Sequence, residues 1–193
     1  MSEKPDALAV PAGVTMRRPT LFGLPAMPVP AAPLLVRRAR VEEAGALAAL
    51  LGRAYPTETW DAAGTERELF RDETVRATLV VAAEGRLVAT ASLQVRPDAP
   101  ECGWLRWVAT EQDRRREGLA RALVIGVLAA AGRAGCREAR LRTTTDRVAA
   151  IRLYLQLGFE PLVTSDPERE VWGRVLGLLG GETGGGRAGP PAG

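Results

Sequence analysis

Between residues 110 and 121 the chain reads TEQDRRREGLAR, and this stretch holds the residue types with the clearest chemistry. Arg115-x-x-Gly118-x-Ala120 falls where a strand-like run hands over to a helix-like one. A helix start leaves backbone N–H groups without partners and carries a partial positive charge, so it suits a phosphate. Gly118 has no Cβ and Ala120 a small side chain, which lets anionic oxygens approach the main chain. Arg114, Arg115 and Arg116 crowd the same helix start, where each cation costs about 0.3–1 kcal/mol against the helix dipole unless an anion reverses the sign. The loop alone leaves two readings open. It binds a polyanion, or it is a solvated charged helix start partly offset by Asp113 and Glu117.

Other chemistries are narrowed by what the chain lacks. A Walker A loop needs a Gly-Lys-Ser or Gly-Lys-Thr end and a dinucleotide fingerprint needs G-x-G-x-x-G, and neither is present. The sequence contains no histidine, which removes histidine triads, histidine bases and histidine-ligated zinc. Cys102 and Cys136 form no C-x-x-C pair, so they read as ordinary buried thiols and no metal is expected. With 26 basic and 23 acidic side chains the surface is mixed, which disfavours a nucleic-acid face. No signal pattern opens the sequence, and the apolar runs are too short or too broken by proline to span a bilayer. A cytoplasmic protein without membrane contact is expected.

The elements that must position the loop follow from hydrophobic period. Residues 1–33 are Pro- and Ala-rich without helical or alternating period and read as an extended or disordered leader, and residues 180–193 read as a flexible glycine tail. Between them, 34–179 suits one domain. LLVRRAR reads as a strand, VEEAGALAALLGRAY as a helix stopped by Pro56, and GTERELFRDETV as a short second helix. ATLVVAAEG and RLVATASLQV form a hairpin across Glu84–Arg86, and GWLRWVAT is a further strand. A long helix follows over 116–134. REARLRTT reads as a strand, RVAAIRLYLQLG as a helix closed by Gly158, and FEPLVT and EREVWGRVL as two last strands. The fold class is therefore α/β, in the α+β sense: a mixed sheet in which a β-α-β unit follows an antiparallel meander.

This order of elements, Arg115-x-x-Gly118-x-Ala120 after a strand, and AIRLYLQLGFEP from Ala150 together resemble the GNAT superfamily of N-acetyltransferases. The resemblance covers 34–176 and is strongest over 104–161. It implies acetyl-coenzyme A as cosubstrate and an amine acceptor, either a small molecule or a protein amino group, in a monomer or homodimer. It also implies that the strand before the loop splays from its parallel neighbour. The main chain of Val108 and Thr110 would then bond pantetheine, and the loop from Arg115 through Arg116, Glu117, Gly118, Leu119 and Ala120 to Arg121 would hold the pyrophosphate. Ala120 stands where the family commonly has a second glycine. Arg147 replaces a frequent asparagine, and a contact from it to the coenzyme and a plain exposed helix start are equally open.

The implied reaction is attack of a neutral amine on a thioester. Backbone N–H groups near Val108 would serve the oxyanion. Tyr154, in the family's Leu-Tyr position, would protonate the leaving thiolate as general acid, against the alternative that it packs beside Ile151 and Leu157. Without histidine the base must be a carboxylate, a water chain or the acceptor's own equilibrium. Glu101 is the first candidate, ahead of Glu58, Asp61 and Glu111, although a solvated loop carboxylate describes it as well. Trp60 and Trp104 are candidates to line an acceptor pocket. A noncatalytic acyl-coenzyme A binding module with the same fold is the alternative function.

Overall fold

A computed structural model describes residues 11–181 of the 193-residue chain. The described residues divide into two compact units, one from Arg18 to Leu141 and one that joins residues 11–17 to residues 142–181. Both ends of the chain, residues 1–10 and 182–193, lie outside the described residues and take parts of the expected leader and tail with them.

The first unit holds strands β2 (Leu35–Arg38), β3 (Val75–Ala83), β4 (Arg86–Val95), β5 (Cys102–Thr110) and the start of β6 (Glu138–Thr144). β2–β3, β3–β4 and β4–β5 are antiparallel and β5–β6 is parallel, so the expected meander and β-α-β unit are both present. The β3–β4 hairpin turns on two residues with positive φ, Glu84 at 48° and Gly85 at 79°. That pair of dihedrals is the two-residue turn whose twist matches its strands, and it explains the glycine.

β4 is buried along nearly its whole length because helices cover both its faces. On one side α1 (Ala44–Ala54) inserts Leu47, Leu50 and Leu51 against Val80, Leu87 and Ala109. Fully burying each such leucine contributes about 1.5–3 kcal/mol. On the other side lies α3 (Leu119–Arg133), which is apolar around most of its circumference. Gly103 permits that contact, since a Cβ there would stand 2.9 Å from Ala131 Cβ and 3.1 Å from Leu93 Cδ1.

The short second helix begins earlier than its periodicity predicts. Asp61 caps α2 (Ala62–Glu66) by accepting from the Gly64 amide at 2.6 Å. The chain then widens into one π-helical turn over Arg67–Arg71, closed by Asp72 N donating to Arg67 O at 3.0 Å. Single π turns of this kind re-aim side chains and are enriched at functional sites.

In the second unit, β1 (Gly13–Arg18) pairs antiparallel with β7 (Glu160–Pro161). This strand corrects the expectation of an unstructured leader. Val14, Met16 and Arg18 are buried in alternation, a period-two signal of only six residues that the proline-rich stretch after it obscures. α4 (Val148–Gln156) ends at Gly158, whose φ is +77°, as its sequence predicts.

The segment EREVWGRVL is not a strand. It lies in α5 (Asp166–Gly181), with Trp172 and Val175 buried three residues apart. Helix wins because Ser165 and Glu168 cap its start. Ser165 Oγ accepts from the Glu168 amide, while the Glu168 carboxylate accepts the Thr164 amide at 2.6 Å and its hydroxyl at 2.8 Å. FEPLVT likewise shortens to the two residues of β7.

Candidate functional site

β5 is regular only in its first half. Its parallel ladder with β6 runs from Cys102/Glu138 to Leu105/Leu141, and its antiparallel ladder with β4 skips a residue between Ser92/Arg106 and Thr90/Ala109. Trp107 fills that bulge with φ +54°, a left-handed conformation that is a genuine outlier for a bulky residue. Such strain persists only where the surroundings hold it. Here Tyr55 and Trp60 stand edge-on to the Trp107 ring at 5.5 and 4.6 Å, and the Arg106 guanidinium lies 4.8 Å from it. Tyr55 Oη donates to Val108 O at 2.9 Å, so the carbonyl expected for pantetheine already takes a hydrogen bond from within the protein.

At the end of β5 the chain is gripped before it enters the loop. Glu111 N donates to Val88 O at 2.8 Å, and the buried Glu111 carboxylate is held by Arg53. Glu111 is thereby a structural anchor and not an available base. A 3-10 turn over Gln112–Arg114 leads to extended Arg115, then to Arg116 at φ +68° and Gly118 at φ +78°. Arg114 spans the loop and donates to both Glu117 oxygens, at 2.6 and 2.8 Å. That hydrogen bond keeps the Glu117 carboxyl below the usual range, so the clasp is intact at neutral pH.

Leu119 is buried and pins the start of α3. The first intrahelical bond is Ala122 N to Gly118 O, at 3.0 Å, and it leaves the amides of Leu119, Ala120 and Arg121 without helical acceptors. Nothing lies within 4 Å of where a Gly118 Cβ would stand. Arg115, Arg116, Glu117 and Gly118 are exposed around this opening. The loop can therefore take an anionic group at unpartnered amides, with Arg115 and Arg116 to offset its charge and Arg114 engaged elsewhere.

The remaining expected residues are distributed as follows. Thr110 ends β5 opposite Ala89, and its Oγ1 is shielded from solvent with no hydrogen-bond partner among the described residues. Glu101 is exposed and precedes the first residue of β5, while the bulge and the loop lie toward the strand's other end. The nine residues of β5 at about 3.3 Å each put its carboxylate far from the loop, so the structure does not bring it to the site. Glu58 is exposed, Asp61 caps α2, and Trp104 is half-buried opposite Gln94.

Tyr154 and Arg147 belong to the second unit. Tyr154 is 6% exposed and meets Phe159 edge-to-face at 5.8 Å. Arg147 is half-buried at the start of α4, where its carbonyl accepts from Ala150 and Ile151. Sequence reasoning missed Tyr55, Glu68, Arg106 and Trp107. Strict alternation through GWLRWVAT gave no sign of the bulge, and only the density of aromatics and charge there was a clue.

Among the described residues no group of three or more His, Cys, Asp or Glu is placed to hold a metal ion, and no helix is long and apolar enough to cross a membrane.

A bulged strand feeds a glycine-opened helix start inside a β-α-β unit, an arrangement with first-turn amides available to an anion. The Acetyltransferase (GNAT) family description matches residues 45–159, and the chain belongs to that family. No curated protein matches it. Among solved structures it resembles a GNAT-family acetyltransferase assignment from Novosphingobium aromaticivorans DSM 12444, with 26% identity over 80% of this chain and 61% of that one, at a TM-score of 0.56. It also resembles a GCN5-related N-acetyltransferase from Sphaerobacter thermophilus, with 22% identity over 79% of this chain, at a TM-score of 0.65. The chain spans only 61% and 49% of the length of these two. The fold is shared as well with the diaminobutyrate acetyltransferase of Paenibacillus lautus, solved with L-2,4-diaminobutyric acid and coenzyme A, at 20% identity over 65% of this chain and 75% of that one, with a TM-score of 0.56.

Proposed function

We propose that this protein is an N-acetyltransferase that moves an acetyl group from acetyl-coenzyme A to a primary amine by direct attack. The observation that carries the reading is the opening at Gly118, where three first-turn amides lack helical acceptors beside exposed Arg115 and Arg116 and no protein atom lies within 4 Å of where a Cβ would stand. The pyrophosphate would rest there on the amides from Arg116 to Arg121. Family membership and the coenzyme A held by the diaminobutyrate acetyltransferase support the choice of anion.

In this mechanism the Val108 N–H, next to the Trp107 bulge, serves the oxyanion that develops on the thioester carbonyl. The neutral amine forms the C–N bond to give the tetrahedral oxyanion, which collapses with cleavage of the C–S bond. Tyr154 gives its hydroxyl proton to the departing thiolate, and the proton shed by the amine nitrogen passes to solvent, from which Tyr154 is reprotonated. Orientation of the amine supplies much of the remaining barrier reduction.

The test is a thermal shift with acetyl-coenzyme A followed by a thiol-release assay over a panel of amines. Stabilisation with turnover is expected, and Tyr154→Phe should abolish turnover while keeping the shift. Stabilisation without turnover of any amine would indicate the binding module instead. No stabilisation by any acyl-coenzyme A would overturn both.

A further inference from the structure

Glu68 sits on the π-helical turn and reaches the bulge from the α1–α2 side. Its Oε1 accepts from Trp107 Nε1 at 3.2 Å and lies 3.3 Å from Arg106 Nη2. Trp107 directly precedes Val108, so this carboxylate is bonded to the side chain of the residue next to the amide proposed to serve the oxyanion. A relay of polar groups holds the arrangement. Arg106 Nη1 donates to Gln94 Oε1 at 2.9 Å, Gln94 Nε2 to Thr74 Oγ1 at 2.9 Å, and Thr74 Oγ1 to Asp72 Oδ1 at 2.6 Å.

The bulge is what brings these groups together. An extra residue in β5 places Arg106 and Trp107 on one face, where a regular strand would send them to opposite faces. The Glu68 side chain remains 39% exposed despite two protein partners, and both bonds fall on the same oxygen. Against the Trp107 ring, the Trp60 indole N–H is shielded from solvent and has no acceptor among the described residues. A structural ion pair does not need a polar relay, a strained tryptophan and an orphaned donor around a carboxylate that stays open to solvent.

The local charge also has a sign. From Pro56 to Val75 the chain carries six carboxylates and two arginines, within a protein whose net charge is +3. Along this segment the balance favours an approaching cation over a carboxylate, and Arg106, 3.3 Å from Glu68 Oε1, is the cation already placed against it.

We propose that Glu68 binds one ammonium group of the acceptor so that a second amino group, neutral once it has given its proton to solvent, is presented beside Val108, and that the acceptor is a cationic amine without a neighbouring carboxylate, such as an alkyl diamine. This rests on the proposed acetyltransferase reading for its meaning but is tested apart from it, by binding. Glu68→Gln keeps an oxygen for Trp107 and Arg106, so the variant should fold and keep its acetyl-coenzyme A thermal shift while losing the charge.

The experiment is isothermal titration of the intact chain, loaded with coenzyme A, with 1,5-diaminopentane and with 5-aminopentanoate. Wild type should bind the diamine and bind the aminocarboxylate at least tenfold more weakly. Glu68→Gln should weaken the diamine at least tenfold, Glu68→Asp should restore part of the loss, and Arg76→Gln, an exposed change elsewhere in β3, should have no effect. In turnover the Glu68→Gln defect should appear mainly in KM. No diamine binding to wild type, equal affinity in Glu68→Gln, or preference for the aminocarboxylate would overturn the assignment. Diamine binding lost in Glu68→Gln without any thiol release would uphold it and remove the acetyltransferase reading.

Discussion

The Tyr55 hydroxyl donates to the Val108 carbonyl at 2.9 Å, tying the end of α1 to the strained stretch of β5. The peptide after Val108 is thus fixed from the α1 side, and with it the direction in which the bulge presents its amides. Tyr55→Phe keeps the edge-on contact with Trp107 and removes only the donor. The net loss of one such bond is about 0.5–1.5 kcal/mol, which corresponds to a Tm lower by a few degrees. If the Val108 amide serves the oxyanion, kcat should fall by about tenfold with little change in affinity for acetyl-coenzyme A. Equal effects on kcat and on coenzyme binding would assign Tyr55 a structural role alone.

Gly118 separates two requirements of the loop. Its φ of +78° is costly for any residue with a Cβ, by about 1–2 kcal/mol, yet no atom stands in the way of one. Gly118→Ala should therefore fold with a modestly lower Tm and bind acetyl-coenzyme A roughly tenfold more weakly. Gly118→Glu adds a negative charge where the anion would rest and should abolish the ligand-induced thermal shift. Retention of the full shift in Gly118→Glu would mean the anion binds elsewhere.

What the sequence disclosed and what it hid follow from range. The helix α3, the hairpin at Glu84–Gly85 and the Gly118 loop are local, so their residues announce them through period, turn chemistry and spacing. The strand at Gly13–Arg18 is a short alternation whose partner, Glu160–Pro161, lies more than 140 residues away. The Trp107 bulge is invisible to pattern reading because it exists only relative to the β4 register. Glu68 was missed for the same reason. A charged residue on a short helix gives no sign of its partner until the bulge turns Trp107 toward it. α5 is a different case. Its capping pair, Ser165 and Glu168, was present in the sequence, and the β-like look of EREVWGRVL outweighed it.

Gly103 carries a prediction about the seat of the loop's helix. Any Cβ added there would press on Ala131 at 2.9 Å and Leu93 at 3.1 Å, so α3 would have to shift. Overpacking of this kind costs about 1–3 kcal/mol. Gly103→Ala should lower the Tm and weaken acetyl-coenzyme A binding together, because the same helix carries the phosphate-binding amides. Gly132, within α3, has nothing within 4 Å of its Cβ position, and Gly132→Ala should instead raise stability by about 0.5–1 kcal/mol. The opposite order of the two variants in a thermal melt would contradict the packing described for α3.

The junction between β2 and α1 predicts a pH dependence. Arg37 donates to both Glu43 oxygens, at 2.8 and 2.5 Å, and the Arg40 amide adds a bond at 2.8 Å. The Arg37 hydrogen bond is the main reason the Glu43 carboxyl is held at about 2 instead of its ordinary 4.5. As the pH falls, the unfolded chain takes up this proton before the folded one does, which favours unfolding. The stabilisation from Glu43 is therefore complete above 4.5 and is lost as the pH falls to about 2. Glu43→Gln should melt below wild type at pH 7, with the gap constant down to about pH 5 and closing toward pH 2. Other carboxylates contribute the same slope to both proteins, so the difference between the two Tm curves isolates this pair. Curves that stay parallel from pH 7 to pH 2 would show that Glu43 titrates alike in the folded and unfolded chain, and that its bonds to Arg37 add nothing to stability.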